Sequence, residues 1–220
     1  MQFSFNNVVT TPVGNYLKGN EIHDVKFDGI ELVSGKKGDG TEWHAMDITF
    51  SNKEGAIYRE RVFAPTEDGG KRNTVTYNGS EIQQPSRFDQ LAVLMAHLGE
   101  VLSPKNWEKF KVLNFNLPND FTKMVQTFIK VMTPAVGKET KLKLITNKDG
   151  YARLPYYARV DNDGNARLSN PFIGEHVDFT ASELKRMNTS TKPAPTNMDT
   201  VVPETAGTED DFDLANLQLD

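Results

Sequence analysis

The sequence predicts a mainly β fold: a five-stranded barrel with a helical insertion, followed by a disordered acidic tail. Three observations predict it. Short runs of alternating apolar and polar residues, parted by Gly- and Asn/Asp-rich turns, fill residues 22–63. Two stretches with apolar residues at helical spacing come next, and alternation then returns from residue 139. The last stretch, residues 188–220, has Lys192 as its only basic residue against seven acids, a net charge of −6. Residues 1–187 are close to neutral, at +1. The sequence pI of 5.5 therefore reflects an anionic end on a balanced body.

Residues 1–20 are polar with scattered Phe and Val and read as an N-terminal arm. The first strand covers Ile22 to Val33, and Gly29 inside it suggests a bulge. Gly35-Lys36-Lys37-Gly38-Asp39-Gly40 is a hairpin loop. The second strand runs from Trp43 to Phe50, with Met46, Ile48 and Phe50 on the core side and Trp43, Ala45 and Asp47 opposite. Asn52-Lys53-Glu54-Gly55 turns the chain into the third strand, Ile57 to Phe63. A loop from Pro65 to Pro85 follows.

The helical insertion starts at Ser86, which with Asp89 resembles a helix-capping box. Phe88, Leu91, Met95, Leu98 and Leu102 then recur at helical spacing up to Pro104, which predicts a helix near 86–102. A second helix, near 119–133, carries Phe121, Met124, Val125, Phe128 and Met132 on one face, and Pro134 ends it. Glu139 to Thr146 is the fourth strand. Asn147-Lys148-Asp149-Gly150 is a hairpin turn into a fifth, Tyr151 to Val160. Asp161-Asn162-Asp163-Gly164 turns into Ala166-Arg167-Leu168, and a short helix follows Thr180. This makes 21–187 one domain, 188–208 a Pro-containing disordered linker and 209–220 an acidic end. Three strands, helix and two strands is the order of an OB-fold, a five-stranded Greek-key barrel.

Several classes of function are disfavoured. The chain has no cysteine, hence no disulfide, thiolate metal site or cysteine nucleophile. His23, His44, His97 and His176 lack metal-ligand spacing, and no phosphate-loop or nucleophile-elbow motif occurs. Asp161-Asn162-Asp163-Gly164 lacks the remaining ligands of a calcium loop and reads as a turn. No catalysis, cofactor or metal is expected. The N-terminus has no signal-peptide pattern and no window is apolar enough to span a bilayer, so a cytoplasmic protein is expected.

What remains is a binding surface. Strand period puts Tyr151, Arg153, Tyr157 and Arg159 on one face of the fifth strand. Arg59 and Arg61 share a face of the third strand, Lys141 and Lys143 of the fourth, and Trp43 lies away from the core on the second. Lys71 and Arg72 flank them from a loop. If these faces coincide, one side of the barrel alternates rings and cations. Single-stranded nucleic acid needs both: rings stack on bases, and cations meet phosphates. The end of the chain, with Asp210, Asp211, Phe212, Asp213 and Leu214, sets apolar residues among acids, a pattern suited to docking in a basic partner groove. A virion or scaffold role without nucleic acid, or a metal-dependent nuclease, are the rival classes.

With its β-rich body, its Asn188–Thr208 linker and the segment Glu209-Asp210-Asp211-Phe212-Asp213, the chain resembles the bacteriophage single-stranded DNA-binding proteins. Residues 16–31, from Tyr16 to Glu31, are similar to the opening of the first barrel strand in that family. The resemblance implies an OB-fold core, binding of single-stranded DNA without sequence preference, and a tail that recruits replication or recombination proteins in the host cytoplasm. Eight residues follow Phe212, whereas in the bacterial and related families the aromatic residue ends the chain. Oligomeric state, including a homo-oligomer, is left open.

Overall fold

A computed structural model describes residues 15–77 and 79–189 of the chain. In chain order they form β1 (Glu21–Lys36), β2 (Glu42–Ser51), β3 (Ile57–Phe63), β4 (Thr74–Tyr77), β5 (Ser80–Gln83), α1 (Arg87–Leu102), α2 (Pro104–Phe110), α3 (Phe121–Met132), β6 (Glu139–Thr146), β7 (Ala152–Arg153), β8 (Ala158–Val160), β9 (Ala166–Leu168), β10 (Ile173–Gly174) and α4 (Ala181–Thr189). Residues 1–14 of the expected arm, and the expected linker and acidic end from residue 190 onward, lie outside the described residues.

The organising element is β1. It breaks register between Phe27 and Gly29, where Gly29 adopts φ +144°, a left-handed value that favours glycine. Before the bulge Val25 and Phe27 point inward; after it Ile30 does, so the extra residue keeps the apolar set on one side. The N-terminal half of β1 pairs with β6 and the C-terminal half with β2, both antiparallel. The strand order is β10-β6-β1-β2-β3, with β7 also on β6. The result is a curled antiparallel half-barrel of five strands, in a mainly β chain with a few helices. Phe27, Met46, Ile48, Phe50, Leu142 and Leu144 are sealed inside it.

The helices close the same core. Ser86 and Asp89 form the expected capping box, Ser86 Oγ accepting from Asp89 N–H at 3.1 Å and the Asp89 carboxylate accepting from Ser86 N–H at 2.8 Å. Leu94 and Leu98 of α1 and Val125 and Phe128 of α3 are buried with the barrel residues. Pro104 does end the first helix, but it also opens α2, because a first-turn position needs no N–H from proline. Trp107 and Phe110 of α2 stack at 5.4 Å and meet Phe128.

Two expectations are corrected. The segment 65–85 is not plain loop: β4 and β5 form a hairpin there, with Gly79 at φ +81° in its turn. The expected strand from Tyr151 to Val160 is broken in two. β7 joins β6 and β8 pairs with β9, because Pro155 between them offers no N–H to continue a ladder. The single alternating face expected of residues 151–159 therefore does not exist.

α1 and α2 approach so closely at Gly99 that a Cβ there would lie 2.5 Å from the Trp107 ring. Gly99→Ala, which would stabilise an open helix by about 0.5–1 kcal/mol, is therefore expected to destabilise this one by about 1–3 kcal/mol, read as a lower urea midpoint. His97 gives a second expectation. Its Nε2 accepts from Phe172 N–H and Ile173 N–H at 3.3 and 3.4 Å, and burial pushes its pKa down from 6.5 to about 4. The unfolded chain takes up this proton before the folded one does. Stability should thus fall as pH drops from 6.5 towards 4, and the urea midpoint of His97→Asn should change less over that range.

Candidate nucleic-acid interface

Away from the core, β2 and β3 present one laid-out group of side chains. The register pairs Gly35 with Trp43, Ala45 with Phe63, Asp47 with Arg61 and Thr49 with Arg59, so these residues share the outer face. Asp47 is only 2% exposed and grips Arg61 with both oxygens, at 2.7 Å to Nε and 2.6 Å to Nη2. A two-point hold fixes the plane of the guanidinium as well as its position. That plane lies over the Trp43 ring, 5.7 Å from its centre, and Phe63 meets the indole edge-on at 5.4 Å. Phe63 is 40% exposed. The indole itself rests on Gly35: any Cβ there would stand 2.6 Å from it.

Cations border this group. Arg59 is exposed and opens on a groove of about 300 Å³ lined by Gly29, Glu31, Thr49, Met132 and Val136. Beside Trp43, Lys36 ends β1 and pairs loosely with Glu42 at 3.8 Å, and the exposed Lys37 opens the β1–β2 loop. Asp47 holds the Arg61 pKa above its ordinary value and also offsets much of its charge. Arg61 thus offers a flat cationic surface more than a mobile phosphate ligand.

A second cluster lies on the opposite side of β3. Glu60, paired in register with the core residue Ile48, accepts from Tyr58 Oη and from Leu154 N–H at 3.2 Å, and Tyr156 reaches the same carboxyl. Burial pushes the Glu60 carboxyl above its usual range. Through this carboxyl the residues after β7 are fastened along β3. Arg153 lies over Tyr157 at 5.8 Å, and Arg186 of α4 over the same ring at 6.0 Å.

The residues expected to share one face are therefore separated. Trp43, Arg59 and Arg61 stand together on the outer face of β2 and β3. Arg153 and Tyr157 belong to the cluster beyond β3, and the half-buried Tyr151 sits at the β6–β7 turn, its N–H on Asn147 Oδ1 at 2.8 Å. Lys71 pairs with Asp68 at 2.6 Å. Arg72 is bidentate to Asp89 and donates to the Gly164 carbonyl at 2.7 Å, which fastens the β8–β9 turn to α1. Arg159 is exposed on β8 opposite Arg167. Lys141 is exposed on β6, but Lys143 is fully buried against Glu183 and is not a surface cation as the chain is folded. Asp210, Asp211, Phe212, Asp213 and Leu214 lie outside the described residues.

Sequence reasoning missed Phe63, Asp47 and Gly35 as parts of the site. Phe63 was within reach, since 59, 61 and 63 fall on one face of a strand. Gly35 was not, because its partner depends on the register across the hairpin. Among the described residues no group of three or more His, Asp or Glu side chains is placed to hold a metal ion, and no helix is long and apolar enough to cross a membrane. Comparison of the chain with protein-family models, curated proteins and solved structures finds no match.

The stacked arrangement of Gly35 and Trp43 is directly testable. Gly35→Ala should lift the indole off the sheet, shifting its emission to the red and raising its quenching by acrylamide. Trp107, buried among the helices, supplies a constant background.

Proposed function

We propose that the chain binds single-stranded DNA without sequence preference, across the outer face of β2 and β3. The observation that carries this reading is the group formed by Trp43, Phe63 and Arg61, with the guanidinium pinned by Asp47. A preordered group of rings and guanidinium suits unpaired bases, whose stacking contributes about 1–3 kcal/mol each and does not depend on which base is present. Arg59, Lys36 and Lys37 are the phosphate contacts beside it.

The topology supports the same reading. A first strand shared between its second and fourth barrel partners, with a helix before the fourth, is compatible with an OB-fold. In that fold the faces of strands 2 and 3 and the loop joining strands 1 and 2 take up oligonucleotides. Here those parts are β2, β3 and the Lys36-Lys37 loop. Together with the resemblance of the sequence to the phage single-stranded DNA-binding proteins, this supports a role in DNA replication or recombination in a host cytoplasm. The acidic segment with Asp210, Asp211, Phe212, Asp213 and Leu214 is the part that recruits partner proteins. No catalytic step belongs to this reading.

The test is a titration of the full chain with oligo-dT, followed by tryptophan emission at several salt concentrations. Trp43 emission should be quenched, and Trp43→Phe should abolish the signal. Three phosphate contacts on a single strand correspond to a slope of log K against log salt of roughly −2, and Arg59→Ala should make it shallower by about 0.7. Binding that leaves Trp43 emission unchanged, or an affinity flat with salt, rules out this face as the site. An oligo-U arm reports on preference for DNA.

A further inference from the structure

α4 is held to the barrel in an unusual way. Along residues 181–186 every side chain is exposed except Glu183, which is 5% exposed, while Leu184 stands 47% exposed on the other side. A docked helix ordinarily buries an apolar stripe; this one buries a charge. Glu183 has two roles. Its Oε2 accepts from Thr180 N–H at 2.8 Å while Thr180 Oγ1 accepts from Glu183 N–H at 3.2 Å, a capping box that starts the helix. The same oxygen accepts from Lys143 Nζ at 3.0 Å. Lys143 is 0% exposed, donates to the Asp178 carbonyl at 3.0 Å as well, and lies 5.9 Å from the Phe179 ring centre.

This pair is incompletely satisfied. Glu183 Oε1 is buried and has no hydrogen-bond partner. A buried ion pair loses much of its attraction to desolvation, and an unpartnered oxygen adds to the cost. α4 also places Arg186 over the Tyr157 ring, at 6.0 Å. Lys143 shares one face of β6 with Lys141, which is exposed. The Glu183 carboxylate takes the place on Lys143 Nζ that a phosphate oxygen would occupy.

We propose that α4 is a releasable strap over a second, latent phosphate site on β6. A backbone phosphate of the bound strand replaces the Glu183 carboxylate on Lys143, α4 swings off, and Lys143 joins Lys141 in holding the strand. This rests on the single-strand reading above and extends it from one face to two. The exchange balances: one anion leaves the ammonium as another arrives, and the freed Glu183 carboxylate becomes hydrated.

The experiment uses the full chain and a fluorescent oligo-dT long enough to wrap the barrel. Glu183→Ala removes both cap and counter-ion. It should bind about tenfold more tightly at low salt, the size of one charge-assisted contact, with a salt slope steeper by about 0.7. Glu183→Leu combined with Lys143→Met, which keeps α4 docked by apolar contact, should lack the gain. Independently of any variant, hydrogen exchange of the α4 amides in the native chain should quicken when the oligonucleotide is bound. Native binding with unchanged α4 exchange overturns the strap and leaves the β2–β3 reading intact. So does a double variant that binds as tightly as Glu183→Ala. If the native chain does not bind oligo-dT at all, the single-strand reading fails and the strap with it.

Discussion

The extra residue at the bend of β1 is the constraint on which the rest depends. A strand sixteen residues long, paired with β6 at one end and β2 at the other, must bend for the sheet to curl around a core. The bulge at Gly29 supplies the bend, and it also reverses the parity of the strand. Before it, odd-numbered residues face the core; after it, even-numbered ones do. Gly35 therefore faces outward, opposite Trp43, and clears the space in which the indole lies. Without the bulge Gly35 would point into the barrel. The site and the core are set by the same residue.

Two Asp/Glu pairs with a basic side chain show how burial decides what one chemistry does. Asp47 and Arg61 form a two-point contact whose carboxylate is buried and whose guanidinium remains 40% exposed. The carboxylate is satisfied, the cation keeps contact with water, and the pair holds a plane in place at modest cost. Lys143 and Glu183 are sealed from water on both sides, meet at one point, and leave an oxygen unmatched. The first geometry builds a fixed surface. The second builds a contact that breaks when a competing anion is offered.

The Glu60 cluster plays a third, structural part. Its carboxyl gathers Tyr58, Tyr156 and the Leu154 N–H, and so fastens the chain after β7 along β3. That fastening draws Arg153 and Tyr157 away from the outer face. Arg153, Tyr156 and Tyr157, so suggestive in sequence, are spent mainly on closing the half-barrel.

Much of the fold was legible in the order of residues. The strands Ile57–Phe63 and Glu139–Thr146, the capping box at Ser86 and Asp89, the bulge at Gly29 and the apolar stripe of α3 follow from spacings of two or four residues and from single turn-formers. Such signals are local, so a linear reading finds them. The splitting of a strand at Pro155 is also a signal carried by the sequence. What only the tertiary structure decided was which faces meet. Lys141 and Lys143 look alike in sequence, yet one is in water and the other beneath α4, forty residues further along. Arg59 and Arg153 look equally suited to phosphate, yet they lie on opposite sides of β3. Alternation assigns a side chain to one of two faces; it does not say what covers that face, because the cover comes from distant parts of the chain brought in by burial of the shared core.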